Sequence, residues 1–558
     1  MKKFTCLVIF VLLMTGMMLA ETYPRNETLY ETGGLWEPPS NWNPLVPWAA
    51  VTGTIGLIYE TLFAFDPLKG ELIPWLAEEG RWVNATTYRL TLRKGLTWQD
   101  DKPLTAEDVK FTFELAKKIK GIYYSTIWTW LKSIEILDDY TLYFKFSTPK
   151  YHEWTYQLYQ ISILPKHIWE KKTEDEILSG SNEGAIGSGP YLFHTYTQDR
   201  MVYKRNENWW GKKLLSLEPK PKYVVCMRFL SNNVALGALM KGELDISNDF
   251  LPNIASLKRF YGDVIHTWFD GPPYMLSNDT VFLFMNTRKK PMDDPKFRRA
   301  LAFAINTQEI VDRVYQGQVV AANPLGFLPC WMDYYDEEVV KKYGFSYNPE
   351  KAAALLDKAG YKDVDGDGWR EAPDGSEIEL TIIVPYGWTD WMEAIKIIAR
   401  DFERVGINVA PKFPDYSKYE EDMAYGKFDM LLNNFGAAVS ATVWTLFNFL
   451  FTAIQDEMWD GNFGRYENPE VSKLVEQFNE TPLDQVEKGK EIASKIEEIF
   501  LKDMPAIPLW YNGMWFQANT TYWKNWPSEK NPYAYPVTWP GKWLFGGTLV
   551  LMHVTPAE

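Results

Sequence analysis

The residue types that carry covalent or metal chemistry are few and scattered in this chain. No HExxH sequence and no pair of histidines at helical spacing is present, so a catalytic zinc site is not expected. The chain also lacks a GxSxG nucleophile elbow, a GxGxxG loop after a strand and a phosphate loop with its lysine. The usual signatures of acyl transfer and nucleotide chemistry are therefore missing. The histidines are His152, His167, His194, His266 and His553.

Carboxylates leave two possibilities open. Glycoside hydrolysis needs two of them at the right separation, and 73 acidic residues could supply such a pair anywhere. A calcium loop is also conceivable, because Asp363, Asp365 and Asp367 alternate, Gly368 holds the sixth position and Asp374 the twelfth. The usual glutamate at position twelve is absent and the flanking helices fit poorly. The alternative, which predicts no metal, is an acidic, solvated, glycine-rich turn.

Tryptophan is the more informative residue type, with 25 in the chain. Several lie beside prolines, amides or acids, where an indole face can stack on the C–H face of a sugar ring. Neighbouring amides and carboxylates could bind the sugar hydroxyls. For any single tryptophan, packing in the core is the ordinary alternative. The set as a whole favours an uncharged, ring-shaped ligand: Trp36, Trp48, Trp388, Trp391, Trp510, Trp515 and Trp526.

Length and charge limit the class of protein. A chain of 558 residues predicts two to four domains. Its formal net charge of −15 disfavours nucleic acid and anionic membrane surfaces as partners. Beyond the N-terminal apolar segment only Cys226 and Cys330 remain, which is too few for a disulfide framework.

The N-terminus is typical of a secretory signal peptide. Lys2 and Lys3 precede an apolar run from Phe4 to Ala20, which predicts residues 1–20 as the signal, cleaved after Ala20. A lipoprotein would keep a cysteine at the cleavage point, and Cys6 lies too early for that. We therefore expect an exported, periplasmic or extracytoplasmic protein without a lipid anchor. An uncleaved membrane anchor is the alternative, at the short limit for spanning.

The segments that must position these residues show both the alternating pattern of strands and the 3.6-residue spacing of helices. Alternation at 88–92 predicts a strand, and Thr105 with Asp108 predicts a capped helix start. Asp294 before Pro295 and Asn348 before Pro349 are typical of helix starts as well. Residues 378–384 alternate as a strand, and a helical stripe follows from 392 to 405. The class is α/β.

Short segments in a fixed order carry a resemblance to a known family. They are Ile58–Leu62, Leu92–Gly95, Thr105–Phe113, Gly187–Tyr191, Asn206–Gly211, Asn286, Arg298–Asn306, Asn348–Ala352, Asp365–Gly368 and Phe428–Asp429. Together they resemble the extracellular solute-binding proteins of dipeptide/oligopeptide-type ABC transporters, over nearly the whole mature chain. In that family the Asp-Gly-Asp-Gly sequence is common without a demonstrated metal role.

The resemblance implies a two-lobe, periplasmic-binding-protein-like α/β fold with a hinge and an extra inserted α+β domain. Lobe I is expected to comprise 21–61, 187–278 and 512–558. The inserted domain is expected at 62–186, and lobe II at 279–511.

The segment after Phe428-Asp429 departs from the peptide-binding pattern. Peptide-binding members of the family place there an aspartate that pairs with the α-amine of the peptide. No acid lies between Asp429 and Asp456 in this chain. A neutral ligand needs no such charge, whereas an unpaired buried ammonium would be costly. With the tryptophans, this departure resembles the oligosaccharide-binding branch, which includes binders of cello- and chito-oligosaccharides.

That branch implies a set of ligand-binding residues. Trp388 would stack on the sugar and Asp390 would accept hydroxyls, although Asp390 is equally well placed as a helix N-cap. Asn433, Asn434 and Phe435 match a segment that lines the cleft. The other candidates are Trp515, or Trp510 if the alignment slips, and more weakly Asn43 and Trp48.

The sequence thus predicts a monomeric binding protein, not an enzyme, that needs no cofactor and hands its ligand to a membrane ABC permease. The favoured ligand is a β-linked gluco- or manno-oligosaccharide such as cellobiose. An oligopeptide is the alternative within the family, and a glycoside hydrolase is the alternative from another class.

Overall fold

A computed structural model of the chain describes residues 23–434, 436–459 and 461–557. The predicted signal peptide and Phe435 lie outside these residues. Within them the chain forms 21 strands and 17 α-helices in mixed order, which confirms the α/β class. No helix in this described part is both long enough and apolar enough to cross a membrane.

The strands are short and distributed over the whole described chain. They are β1 (Thr28–Thr32), β2 (Phe63–Asp66), β3 (Glu71–Pro74), β4 (Ala77–Asn84), β5 (Thr87–Leu92), β6 (Leu131–Asp138), β7 (Thr141–Phe146), β8 (Tyr191–Thr197), β9 (Arg200–Arg205), β10 (Tyr223–Met227), β11 (Ile246–Ser247), β12 (Ile265–Thr267), β13 (Leu276–Met285), β14 (Val320–Ala321), β15 (Glu379–Ile383), β16 (Asn408–Lys412), β17 (Met430–Asn433), β18 (Ala506–Met514), β19 (Gln517–Asn519), β20 (Trp523–Lys524) and β21 (Thr555–Pro556).

The helices pack between and beside the sheets. They are α1 (Ala106–Lys118), α2 (Tyr151–Gln160), α3 (Lys166–Trp169), α4 (Glu174–Leu178), α5 (Trp210–Leu214), α6 (Asn232–Met240), α7 (Ile254–Tyr261), α8 (Pro295–Ala304), α9 (Thr307–Arg313), α10 (Glu337–Tyr343), α11 (Pro349–Ala359), α12 (Thr389–Glu403), α13 (Tyr416–Tyr425), α14 (Trp444–Phe451), α15 (Pro469–Asn479), α16 (Val486–Asp503) and α17 (Gly547–His553).

Local signals in the sequence account for many of these elements. Thr105 and Asp108 form the predicted capping box at the start of α1. Asp294 and Asn348 cap α8 and α11, each with a proline in the first turn. Helix α12 covers most of the helical stripe predicted from 392 to 405 and ends at Glu403. These predictions succeed because caps and periodicity depend on neighbours in the chain.

Three sheets organise the molecule. One has seven strands in the order β12-β19-β11-β1-β10-β9-β8, and a second has six in the order β14-β18-β13-β17-β15-β16. The third, β4-β5-β7-β6, is antiparallel throughout. The seven-stranded sheet draws on the segments predicted for lobe I, and the third sheet lies within the predicted insert. The domain boundaries themselves stay predictions.

Two neighbouring strands carry the chain between the two larger sheets. Strands β13 and β18 pair antiparallel, with Leu276 opposite Met514. Beyond Met514 the chain enters β19 of the seven-stranded sheet, and β12 of the same sheet precedes β13. The end of the six-stranded sheet at Leu276 and Met514 is therefore the hinge side of the cleft between the lobes.

A buried carboxylate joins segments predicted to belong to lobe I to the segment predicted as the insert. Glu60 is fully buried and accepts bonds from Trp75 Nε1 at 2.8 Å, Trp210 Nε1 at 2.8 Å and Ser188 Oγ at 2.7 Å. Trp209 Nε1 donates to it at 3.3 Å. Burial raises the pKa of Glu60 to about 7, against the effect of these donors. Part of the tryptophan content thus serves this junction and not a ligand.

Candidate ligand-binding cleft

A row of polar side chains crosses the hinge end of the six-stranded sheet. Asp279 on β13 is buried and accepts bonds from Asn278 Nδ2 at 2.7 Å and Asn434 Nδ2 at 2.6 Å. Asn512 lies opposite Asp279 in the register of β18 and also donates to it. Burial raises the pKa of Asp279 to about 6, which these donors partly oppose. Asp279 therefore orients a group of amides.

Several buried polar atoms in this neighbourhood have no hydrogen-bond partner among the described residues. They include both amide atoms of Gln318, Oδ1 of Asn512, Nε1 of Trp510 and Oε1 of Gln517. Gln318 comes just before β14, which pairs with β18 at Tyr511 and Trp510. An unpaired buried polar group is costly, so proteins rarely leave several together. This concentration indicates a site completed by a ligand or by water.

Aromatic rings border the polar row. The rings of Tyr315 and Trp515 are nearly parallel, at 16° with centroids 6.1 Å apart. Phe250 packs edge-on against Trp515 at 5.1 Å, and Trp510 lies 5.5 Å from Tyr315. Asn248 Nδ2 donates to the carbonyl of Trp515 at 2.5 Å, which fixes the backbone that carries this indole. The rings and the amides form one wall.

Helix α12 brings Asp390 to the same wall. Tyr315 Oη donates to Asp390 Oδ2 at 3.0 Å. Burial raises the pKa of Asp390, although the bond from Tyr315 acts in the opposite direction. The N-cap position belongs to Trp388, so Asp390 lies inside the first turn and the N-cap alternative is wrong. Trp388 is half-buried, with its ring 4.9 Å from that of Trp391.

The other predicted residues of lobe II differ in their surroundings. Asn434 belongs to the polar row through Asp279. Asn433 is fully buried, and its amide donates to Tyr419 Oη at 3.2 Å on the side of α13. Trp510 is fully buried beside Tyr315. Phe435 lies outside the described residues. The structure thus brings Asn434, Trp510, Trp515 and Asp390 into one neighbourhood.

Asn43 and Trp48 contact residues of the segment predicted as the insert instead. Asn43 is fully buried, and its Nδ2 donates to the carbonyls of Ile177 at 2.7 Å and Gly180 at 3.3 Å. Trp48 is 72% exposed, and its ring lies 6.4 Å from that of Tyr123. These contacts give neither residue a link to the polar row.

The sequence reasoning missed Asp279, Gln318, Asn512 and Tyr315. The sequence does hold a weak signal for Asp279. Polar residues precede the apolar run from Val281 to Met285 in the same strand, where a buried strand would be expected to stay apolar. Nothing near Gln318 in the sequence marks it as functional. Its importance follows only from its position beside β18.

The acidic loop brings three exposed carboxylates together. Asp363, Asp365 and Asp367 are exposed, with carboxylate oxygens within 4.8 Å of one another. Asp363 accepts bonds from backbone N–H groups of its own loop. Asp374 is paired with Lys290 Nζ at 2.9 Å and does not complete the group. The three carboxylates are thus close enough to share a cation but lack a fourth acidic ligand from Asp374, and both the calcium loop and the solvated turn stay predictions.

The comparison with known families agrees with this two-lobe architecture. Residues 71–457 match the model described as bacterial extracellular solute-binding proteins, family 5, middle region. The chain belongs to this family. It is accordingly a solute-binding protein of an ABC transporter, and its family and fold are those of binding proteins. Such proteins deliver their ligands to membrane permeases.

Solved structures and curated relatives refine the placement of this family 5 protein. A periplasmic oligopeptide-binding protein of an oligopeptide ABC transporter from Thermotoga maritima is 54% identical, with a TM-score of 0.94 over 96% of this chain and 100% of that one. A mannohexaose-bound structure of that protein has a TM-score of 0.90 at the same identity and coverage. The oligopeptide-binding protein AppA of Bacillus subtilis is 26% identical over 76% of this chain and 75% of its own length.

Proposed function

We propose that this family 5 protein captures oligosaccharides outside the cytoplasm, with β-linked manno- or gluco-oligosaccharides favoured, and delivers them to an ABC permease. The observation that carries the proposal is the group of buried, unpartnered amide and indole atoms beside the rings of Tyr315 and Trp515. Sugar hydroxyls both donate and accept hydrogen bonds, so they can satisfy amide oxygens and amide nitrogens alike. Each bond would contribute about 0.5–1.5 kcal/mol net.

Two acids of the wall, Asp279 and Asp390, are already engaged by donors from this chain, which favours a neutral ligand beside them. Both oxygens of Asp279 accept bonds from asparagine amides. Oδ2 of Asp390 accepts the bond from Tyr315. A peptide α-amine would need a carboxylate free to pair with it, because an unpaired ammonium in such a site is costly. Asp279 instead accepts a bond from the amide nitrogen of Asn512. The amide oxygen of Asn512 then points away from Asp279 and can accept a bond from a sugar hydroxyl.

The relatives support two candidates to different degrees. The Thermotoga maritima protein, at 54% identity, has been solved with mannohexaose bound. The Bacillus subtilis relative is named for oligopeptides, but at 26% identity. A peptide is therefore the second candidate ligand. With either ligand, we expect the protein to carry an export signal and to be monomeric.

Calorimetry on the mature chain tests the proposal. We expect mannohexaose or a cello-oligosaccharide of similar length to bind, and mixed di- to nonapeptides to give no heat above dilution. Peptide binding without any sugar response would overturn the proposal. Release of shorter sugars during the titration, detected by chromatography, would instead indicate a hydrolase.

A further inference from the structure

Helix α2 contacts both the predicted insert, to which it belongs, and the segment predicted as lobe II. Trp154 packs inside the insert, with its ring 5.8 Å from that of Phe113 and 4.6 Å from that of Phe144. The residues around the first turn of α2 instead reach α15 and the loop before α14, at 441–442. This helix therefore joins two parts of the chain that are far apart in sequence.

A reciprocal pair of hydrogen bonds connects α2 to α15. The backbone N–H of Glu153 donates to Oδ1 of Asn479 at 3.0 Å, and Nδ2 of Asn479 donates to Oε2 of Glu153 at 3.1 Å. Asn479 is only 2% exposed. Lys150, just before α2, forms an ion pair with Glu476 of α15. Because both ends of the Asn479 amide are bonded to α2, a substitution at this residue reports on the contact.

The imidazole of His152 adds a further connection. It is buried, and its Nδ1 lies 2.6 Å from Oγ1 of Thr442. The ring also packs against Phe478 of α15, with centroids 4.4 Å apart. In the last turn of α2, Oη of Tyr159 accepts a bond from the backbone N–H of Ala441 at 3.3 Å. Both ends of α2 are thus held against the segment predicted as lobe II.

The other side of the predicted insert is fixed to lobe I. The buried carboxylate of Glu60 binds Trp75 of the predicted insert together with Ser188 and Trp210 of predicted lobe I. The chain itself connects the two larger sheets at the ends of β13 and β18. A rotation of lobe II about this connection therefore moves α15 relative to α2. The contact between these helices is a non-covalent bridge between parts that move against each other.

Paired polar groups make up much of this contact, which suits an interface that opens. After separation, water can hydrate the carboxylate, ammonium and amide groups, so the net free-energy cost of opening is small. A contact that exists in only one arrangement of the lobes shifts the population towards that arrangement. A ligand that binds the closed arrangement then gains apparent affinity in proportion to the closed population.

We propose that the contact of α2 with α15 and the 441–442 loop is a latch that favours the closed arrangement of the lobes and slows the release of ligand. The inference rests on the proposed function for its choice of ligand. The bonds of the latch described above involve none of the residues assigned to the polar row or the aromatic wall. The latch therefore acts through closure of the lobes and not through a bond to the ligand.

A substitution and its rescue test the latch. Asn479→Asp places a second carboxylate against Glu153, and adding Glu153→Gln restores an amide–carboxylate pair with the partners exchanged. In stopped-flow fluorescence with mannohexaose on the full mature chain, we expect Asn479→Asp to raise the dissociation rate constant about tenfold, with association unchanged or faster. The double variant should return it to within about threefold of the unaltered chain. Gln477→Glu, which adds the same charge at an exposed position of α15, should change neither rate constant.

The outcomes separate this inference from the proposed function. If the unaltered chain binds no sugar, the proposed function fails and the inference fails with it. If it binds mannohexaose and Asn479→Asp leaves dissociation unchanged, or the double variant releases sugar as fast as the single one, only the latch is overturned. Should Asn479→Asp not fold, Glu476→Lys opposes the ammonium of Lys150 from an exposed position and must accelerate dissociation in the same way.

Discussion

The hydroxyl of Tyr315 donates a 3.0 Å hydrogen bond to Oδ2 of Asp390. This bond ties the segment after α9 to the first turn of α12. Tyr315 also stacks beside Trp515, whose backbone belongs to the connection between the lobes. One tyrosine thus links α12 to the aromatic wall at the hinge.

Gln318 offers the sharpest test of the polar row. Replacing it with leucine removes two buried polar atoms that have no partner in the described chain. We expect Gln318→Leu to leave the thermal midpoint unchanged or to raise it, because the cost of burying an unpaired amide is removed. Oligosaccharide affinity should fall about tenfold or more, since one or two bonds to the ligand are lost. Calorimetry and thermal unfolding measure the two effects.

A matched control lies at the end of α2, within the predicted insert. Gln160 ends α2, and its Nε2 is likewise buried without a partner among the described residues. Gln160→Leu should resemble Gln318→Leu in stability but leave sugar affinity unchanged. A large loss of stability in Gln318→Leu, with normal affinity in the protein that remains folded, would assign Gln318 to the core.

Trp388 is predicted to stack on the ligand. We expect Trp388→Ala to weaken oligosaccharide binding at least tenfold and to leave the thermal midpoint nearly unchanged, because the indole is only half-buried. Trp128→Ala provides the control, since Trp128 is likewise half-buried and packs against Lys117 within the predicted insert. Quenching of intrinsic fluorescence by mannohexaose, followed in both variants, measures the affinities. A drop of many degrees in Trp388→Ala would place that ring in the packing of Trp391 and Tyr416.

Asp279 predicts a pH dependence of binding. Its pKa is raised to about 6 by burial, so the carboxylate is ionised at pH 7.5 and protonated at pH 5. Protonation turns one acceptor into a donor and releases an asparagine amide from its fixed orientation. We expect oligosaccharide affinity to fall severalfold between pH 7.5 and pH 5, with a midpoint near 6. Titrations across this range measure it.

Burial also raises the pKa of Asp249 to about 6. A variant is therefore needed to show which of the two carboxyl groups causes the pH dependence of binding. Asp279→Asn should bind more weakly than the unaltered chain at pH 7.5 and show little further change at pH 5. If the variant keeps the full pH dependence, the titrating group is not Asp279.

Glu31 predicts a pH dependence of stability. It is fully buried, accepts a bond from Thr538 Oγ1 at 2.7 Å, and has a pKa raised to about 7 by desolvation. A raised pKa means that the folded state holds the proton more tightly, so its stabilising contribution is complete below about pH 4.5 and is lost as the pH rises to 7. The loss is on the order of 3 kcal/mol. Glu31→Gln should flatten the pH profile of the unfolding free energy by about that amount.

Urea unfolding at pH 5 and pH 8 makes the measurement. Glu60→Gln is the contrasting variant, because Glu60 accepts bonds from three indoles and Ser188, and an amide has only one acceptor oxygen. It should therefore lower stability at both pH values. Parallel profiles for Glu31→Gln and the unaltered chain would contradict the prediction.

The sequence by itself determined the elements and the architecture to which they belong. The capping box at Thr105 and the proline-started helices α8 and α11 are set by adjacent residues, so their signals are complete in a short segment. The ordered motifs also indicated the family and hence two lobes with an insert. The proposal of a neutral ligand came from what the segment after Asp429 lacks.

Only the tertiary structure decided which side chains form the wall. Asp279 and Asn512 are far apart in the chain and meet because β13 pairs with β18. Gln318 joins them through β14. The same holds for the indoles: Trp209 and Trp210 enclose a buried carboxylate, whereas the ring of Trp515 lies parallel to that of Tyr315. Composition cannot separate these roles. The burial and the hydrogen-bond partners of a side chain depend on contacts between residues distant in sequence, which form only when the sheets assemble.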